Sequence, residues 1–552
     1  MMRLELDSFT YPDEDRATLR NIDLGVAPGE CMLVAGGSGS GKSTLARILA
    51  GVLPGRHGGT MSARFEVAGE TLVYSAEDSA SAAANPRINP AVWNRHIAYV
   101  GQVPSAQLST VAATVAEEIA FALENAGMER GLMEQQVRSA AQDLGLTDLL
   151  QRKPAELSGG EQRRMIIASA AALHPAALVL DEPTAGLDAD ARRAVENIIA
   201  SLLARGAGVV LLSPELGGAG RLADRVLLLD GGRMAASGPR QVVLESDAAT
   251  RLPVIPDPRE GNGEGRPATV KVTLGAAANP SSAVPAAELS RVAYSYGKDR
   301  RRGLFAGRRY VGTPPPKVLD AVDLTINPGE RMAIAGANGA GKSTLLRHLN
   351  GLARPGSGTV RILGRDIGGE SVGHVAADVA YLFQDPQDQL FERTVAREVG
   401  YGVPEKNPAQ HETAVRQALE RCGLADLAEV HPYELPSSAQ RLVALATVLA
   451  RRPAVLALDE PTVAMDRDGL DRLAEAIRTE SARGAAVAVV THDLNFAYRH
   501  CSRLVLLQGG RIVADAPFAQ VLDEHFGSGE AFGVQAPAAW LPGQRPHQPA
   551  RW

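Results

Sequence analysis

The 552-residue sequence predicts an α/β protein built as two tandem copies of one unit, each with a parallel-sheet core. Three observations predict it. The glycine-rich stretch GGSGSGKST at 36–44 recurs as GANGAGKST at 336–344. The acidic stretch VLDEPTAGLD at 179–188 recurs as ALDEPTVAMD at 457–466. Short apolar runs such as ALVLDE (177–182), GVVLLS (208–213) and RVLLLDGG (225–232) alternate with amphipathic segments, as buried parallel strands alternate with crossover helices.

The repeat keeps its internal spacing. Asp181 and Asp459 stand 278 positions apart (459 − 181), as do Leu157 and Leu435 (435 − 157). Lys42 and Lys342 stand 300 apart (342 − 42), so the insertions before the acidic stretch differ: 71–93 lengthens the first copy, and the basic segment GKDRRRGLFAGRRYVGTPPPK at 297–317 lengthens the second. That segment reads as a solvated loop or a contact surface. The units are expected at 1–251 and 286–531. Between them 252–285 is rich in Pro, Gly, Ala and Asn without sustained periodicity, which predicts a flexible linker. Residues 532–552 read as a disordered tail.

Composition excludes several classes. Lys plus Arg is 57 against 63 for Asp plus Glu, a formal net charge of −6, which is not a nucleic-acid footprint. Cys31, Cys422 and Cys501 lie far apart with no CxxC or His pairing, so neither zinc nor an iron–sulfur cluster is expected. No run reaches 18 apolar residues; the best candidate, Met165 to Leu180, contains His174 and Pro175. The N-terminus has no apolar leader core, so a chain that does not itself span the membrane is expected.

GxxxxGK[ST] occurs twice, each time after an apolar strand (CMLVAG, RMAIAG) and before a helical run (TLARILAG, TLLRHLNG). That context suits a phosphate loop. Glycines let backbone N–H groups curl around phosphate, and the helix N-terminus adds its positive dipole. The candidates are Gly36, Gly37, Ser38, Gly39, Ser40, Gly41, Lys42, Ser43 and Thr44 in the first copy. In the second they are Gly336, Ala337, Asn338, Gly339, Ala340, Gly341, Lys342, Ser343 and Thr344. The lysines reach terminal phosphates and Ser43 and Ser343 can ligate Mg²⁺. At strand ends, Asp181 and Asp459 would hold Mg²⁺ through water, with Glu182 and Glu460 beside them to activate an attacking water.

Walker A, LSGGEQ, LDEPTAGLD and THD, in that order, resemble the ATP-binding cassette (ABC) ATPases, here as two cassettes in one chain. The resemblance implies that each P-loop NTPase domain carries an antiparallel β subdomain and a helical subdomain. It implies ATP and Mg²⁺ as cofactors. It also implies head-to-tail pairing, each ATP lying between one cassette's P-loop and the other's LSGGE segment, where Ser158, Gly159 and Gly160 would meet the γ-phosphate. Tyr11 and Tyr296 match the aromatic residue that stacks on adenine. Gln102 and Gln384 match the glutamine that senses γ-phosphate and Mg²⁺. His492 matches the switch histidine.

Each copy has departures. ELSGGEQRRMIIA (156–168) becomes ELPSSAQRLVALA (434–446). Pro436 replaces Ser158, Ser437 and Ser438 replace the glycines, and Ala439 replaces Glu161. Proline starts a helix well but brings neither N–H nor hydroxyl, and the serine Cβ atoms crowd a close backbone approach. The residue matching His492 is Pro214. With head-to-tail pairing both lesions fall in one composite site, that of Lys42, Asp181 and Glu182. The expectation is one hydrolytic site and one that binds ATP but turns over slowly.

From Gln384 the sequence reads QDPQDQLFERTVAREVGYG, which resembles the ATPases of energy-coupling-factor (ECF) and cobalt-type importers. The first copy keeps an echo in Gln102, Gln107, Leu108, Thr114, Val115 and Glu118. In that family the region faces the helices of a transmembrane coupling subunit, with a small membrane protein capturing a vitamin, vitamin precursor or transition-metal ion. Asp388 and Gln389 are expected at the surface for such a contact. The chain would then sit at the cytoplasmic face of the membrane through its partners, without nucleic acid. Two alternatives remain: the fused ATPase of another transporter, such as a monosaccharide importer, and a soluble twin-cassette ATPase.

Overall fold

A computed structural model of the chain describes residues 2–12, 14–55, 58–76, 85–259, 284–296, 316–403, 407–527 and 530–540. They form two compact units whose boundary falls within 260–283. Most of the expected linker, residues 297–315 of the basic segment and residues 541–552 lie outside the described residues.

In the first unit the strands β6 (Ile97–Val100), β7 (Ala177–Asp181), β8 (Gly208–Ser213), β3 (Cys31–Ala35) and β9 (Arg225–Asp230) form the parallel core, in that spatial order. β10 (Arg233–Pro239) adds antiparallel to β9. All five residues of β3 and β7 are buried, as the continuous apolar runs require of strands covered on both faces. Register sorts their side chains: Leu180 pairs with Leu211 and Leu211 with Leu33, and all three enter the core under the helices. Val34, Val179, Val210 and Leu212 point the other way. They pack with Phe9, Phe65 and the helix Lys42–Leu49 beneath an antiparallel sheet. That sheet is β1 (Met2–Thr10) between β2 (Leu19–Val26) and β4 (Thr60–Val67), with β5 (Glu70–Tyr74) outside. A single pair, Arg233 with Arg20, joins the two parts into one ten-stranded sheet.

The second unit repeats this plan. β16 (Val379–Leu382), β17 (Val455–Asp459), β18 (Ala486–Val490), β13 (Arg331–Ala335), β19 (Arg503–Gln508) and β20 (Arg511–Pro517) form its six-stranded core sheet. β12 (Leu319–Ile326), β11 (Ala287–Tyr294), β14 (Ser357–Ile362) and β15 (Arg365–Asp366) form the antiparallel sheet. Helices inserted between the phosphate loop and the acidic strand make the helical subdomain. Thr114 and Thr394 each start one of them by accepting from the N–H groups of Glu117 and Arg397.

Two expected boundaries need correction. Residues 252–259, placed in the linker, belong to the first unit: Leu252 and Val254 are buried and Ile255 bridges to Glu215. Residues 532–540, placed in the tail, belong to the second: Val534, Ala536 and Trp540 are buried, and Glu530–Ala531 pairs with Val534–Gln535. Their Pro- and Gly-rich composition hides isolated apolar anchors that carry no periodic signal.

Candidate functional site

Each phosphate loop joins a buried core strand to a helix, Lys42–Leu49 or Lys342–Leu349. Gly41 and Gly341 precede these helices at φ 99 and 102, a backbone that needs glycine, and a Cβ on Gly341 would lie 2.7 Å from the carbonyl of Val318. Lys42 is folded back inside its loop, donating to the carbonyls of Gly36 and Gly37, both at 2.7 Å. Lys342 does the same to Gly336 (2.7 Å) and Ala337 (3.0 Å). The Tyr11 and Tyr296 hydroxyls sit 3.2 and 3.0 Å from the Oγ1 of Thr44 and Thr344, which holds both rings at the mouths of their loops.

The acidic pairs lie where the sequence places them, at the ends of β7 and β17. Asp181 and Asp459 are buried. Ser343 Oγ and Tyr381 Oη donate to Asp459 at 3.0 and 2.8 Å. A hydroxyl beside a buried carboxylate is a hard-oxygen set, and it fits Mg²⁺, which takes few protein ligands and the rest from phosphate and water. Ser343 with Asp459, and Ser43 with Asp181, would hold the ion, which would supply positive charge against the phosphates.

Glu182 and Glu460 leave their strands at φ 49 and 48, a region costly for residues other than glycine. Their N–H groups still donate to the neighbouring strand, to Leu212 at 2.8 Å and Val490 at 2.9 Å. Burial pushes the Glu182 carboxyl up to about 7; Asp181 adds to this and Lys42 opposes it. Burial likewise pushes Glu460 up, opposed by Lys342 and aided by Asp459. A desolvated carboxylate of raised basicity is suited to take a proton from water.

Here the units part company. His492 Nε2 lies 3.2 Å from Glu460, 3.2 Å from Lys342 Nζ and 3.1 Å from Asn338 Oδ1, so one imidazole connects acid, lysine and phosphate loop. In the first unit Pro214 stands there, and Glu182 instead accepts from Gln102 Nε2 at 3.2 Å. Gln384 follows β16 with its side chain exposed.

The signature helices differ at their first residue. Ser158 caps Gly159–Ala171 with a full capping box: its hydroxyl accepts from Glu161 N–H, and Glu161 accepts from Ser158 N–H at 2.8 Å. Pro436 starts Ser437–Ala450 at φ −56 with no side-chain cap bond. The fold survives the lesion.

Sequence reading missed the arginine one turn further on. Arg163, buried, donates to the carbonyls of Glu182 (2.7 Å) and Gln102 (3.1 Å). Arg441 donates to those of Gln384 (2.9 Å) and Glu460 (3.3 Å). Each guanidinium joins signature helix, glutamine loop and catalytic-strand end inside one unit. The signal was present, because Gln162-Arg163 and Gln440-Arg441 both persist while their surroundings diverge.

The D-Q-L-F segment is partly structural, which corrects one expectation. Gln389 does not face outward: it accepts from Phe383 N–H (3.1 Å) and donates to Ala444 O (3.2 Å) and Thr447 Oγ1 (3.3 Å), while Leu390 is buried. Glu398, also buried, accepts from the N–H groups of Phe391 and Glu392 at 2.7 and 2.6 Å. Glu118 does the same work for Ser109. Glu398→Ala should strand two donors at about 1–3 kcal/mol each. We expect a melting temperature several degrees lower by scanning fluorimetry, with ATP hydrolysis per folded molecule within about twofold of the parent.

A phosphate loop, a strand-end acid pair and a signature helix, repeated on two α/β units, define a twin-cassette ATPase. A model of the ABC transporter family matches residues 19–185 and 319–463. The chain belongs to this family, whose nucleotide-binding domains bind and hydrolyse ATP and generally require Mg²⁺. It is 31% identical over 567 residues to an ABC transporter ATP-binding protein of Methanosarcina acetivorans, covering 97% of this chain and 88% of that one. It is 32% identical to one of Streptomyces coelicolor, covering 98% of each. Archaeal ABCE1, solved bound to the ribosome with Pelota, covers 95% of the chain at a TM-score of 0.64 and 20% identity, a likeness of fold alone. Among the described residues no helix is long and apolar enough to cross a membrane.

Proposed function

We propose that this chain is the ATP-hydrolysing motor of an ECF-type importer, powering uptake of a vitamin, vitamin precursor or transition-metal ion through partner membrane proteins. The observation that carries the reading is an aromatic pair at the end of the D-Q-L-F segment. Phe391 and Tyr401 stand edge to face, ring centroids 4.7 Å apart, and are 59% and 61% exposed. Glu398 and the Tyr433 hydroxyl, which donates to Leu390 O at 2.7 Å, brace the loop that presents them. Val111 and Phe121 are exposed on the corresponding stretch of the first unit. Apolar side chains held rigidly in water suit an apolar partner helix, and the coupling subunit supplies such helices.

Within the motor, the two cassettes pair head to tail, as in the family. Glu460 accepts the proton of the attacking water. His492 and Lys342 steady the transferred phosphoryl oxygens, and the 157–161 LSGGE segment completes that site. The Lys42 and Glu182 site, with Pro214 and the 435–439 LPSSA segment, holds ATP and turns over slowly. His492 in contact with Glu460, Lys342 and Asn338, against proline at the matching position, supports the asymmetry.

Purification of the tagged chain from gently solubilised native membranes tests the importer reading. We expect recovery of one coupling protein and one small membrane protein, both lost with Phe391→Ala/Tyr401→Ala. Recovery with ribosomes or DNA, or without any membrane protein, would overturn it.

A further inference from the structure

The described parts of the expected linker and tail each return to the phosphate loop of their own unit. In the first, Ile255 pairs its backbone with the segment that carries Pro214: its N–H donates to Pro214 O at 2.8 Å, and its carbonyl accepts from Leu216 N–H at 2.9 Å. Asp257, 5% exposed, accepts two bonds from Arg221 at 2.5 and 2.8 Å. It also lies 3.9 Å from Arg240, whose guanidinium donates to the carbonyls of Leu216 and Gly220. Gly217 leaves room for this carboxylate, since a Cβ there would sit 3.3 Å from Asp257 Cγ. So anchored, the segment lays Pro253 on the phosphate loop: a Cβ on Gly37 would lie 2.3 Å from Pro253 Cγ, closer than real atoms allow.

The second unit repeats the arrangement with other residues. Gly533, at φ 73 in the turn of the 530–535 hairpin, meets Ala337; a Cβ on it would lie 2.8 Å from Ala337 Cβ. Ala538 N–H donates to Asn495 Oδ1 at 2.8 Å, and Asn495 occupies the position that matches Gly217. Both segments thus dock at the second residue of the loop and just past the switch position. Their shapes are complementary, proline over glycine in one unit and glycine over alanine in the other. Gly37 and Ala337 are also the residues whose carbonyls receive Lys42 and Lys342.

We propose that residues 252–259 and 530–540 are positioning straps, one for each nucleotide site, and that Asp257 is the positioning residue that sets the first. Each strap ties the lysine-holding turn of the phosphate loop to the switch segment, so that the two walls are preorganised before phosphate arrives. In the second unit His492 also links those walls. In the first Pro214 has no side chain able to do so, and the backbone pairing of Ile255 takes over the task. The first site therefore depends more on its strap.

The test reads each site alone in the full chain with a fluorescent ATP analogue. A Lys342→Ala background leaves the first site as reporter, and Lys42→Ala leaves the second. Pro253→Gly and Asp257→Ala should weaken binding about tenfold at the first site and less than about twofold at the second. Asp257→Asn, which keeps an acceptor for Arg221, should recover most of the loss. Gly533→Val should weaken the second site only. Pro253→Gly removes the ring contact and also loosens the unfolded chain, so a slightly lower melting temperature is expected in both reporter backgrounds, whereas the loss of binding should fall on the first site alone. Unchanged first-site binding in both Pro253→Gly and Asp257→Ala, or equal weakening at both sites, would overturn the proposal. So would a loss that merely follows a lowered melting temperature.

Discussion

Glu460→Gln is expected to abolish steady-state ATP hydrolysis, by about 10²–10⁴-fold, the range that a positioned general base supplies. The substitution keeps shape and leaves an oxygen able to accept from His492 N–H, which Glu460 Oε2 now does at 3.3 Å. It removes the buried carboxylate whose proton affinity its surroundings raise. Glu182→Gln should cost less than about threefold in the same assay, phosphate release at saturating MgATP. Glu182 sits in an equally strained turn, yet it is less buried than Glu460 and its neighbour is Gln102 rather than a histidine. The contrast separates the two cassettes by chemistry rather than by fold. Comparable losses in both variants would mean that both sites turn over and that Pro214 is tolerated.

Arg441→Ala should have the next largest effect. Arg441 is 7% exposed and its guanidinium bridges the carbonyls of Gln384 and Glu460. Truncation leaves the buried Glu460 carbonyl short of a donor at about 1–3 kcal/mol and the part-buried Gln384 carbonyl at about 1 kcal/mol, the low end of that range, for a total of about 2–4 kcal/mol. At roughly 2–4 °C per kcal/mol, the second unit should melt some 5–15 °C lower. Hydrolysis should fall too, because the strained Glu460 backbone loses its clamp. Arg441→Lys should not restore it, since an ammonium lacks the planar fork that spans two carbonyls. A melting temperature within a degree of the parent would show that the bridge contributes nothing.

Much of this architecture was legible because it repeats. The runs at 177–182, 208–213 and 225–232 became β7, β8 and β9 within a residue or two, since a strand buried on both faces needs unbroken apolar side chains. The phosphate-loop turns were legible for a related reason, in that few residues other than glycine adopt the positive φ of Gly41 and Gly341. What escaped has no local period. Asp257 meets Arg221 from 36 positions away, and Pro253 meets Gly37 from more than 200. Gln389 looked like a surface residue because amides usually are, and only the fold shows that Phe383, Ala444 and Thr447 surround it. The φ of Glu460 is invisible in composition, because it belongs to the backbone turn that leaves β17.

The fit of Pro253 on Gly37 and of Gly533 on Ala337 bears on how the halves of a duplicated gene can trade parts. Writing GANGAGKST into the first cassette would set a methyl group 2.3 Å from the Pro253 ring. Two nine-residue motifs that look like synonyms are therefore not exchangeable, although each serves well at home. The heritable module is a pair, a loop together with a segment about two hundred residues downstream. Recombination within the chain that moves one without the other would yield a cassette whose phosphate loop and downstream segment no longer match in shape.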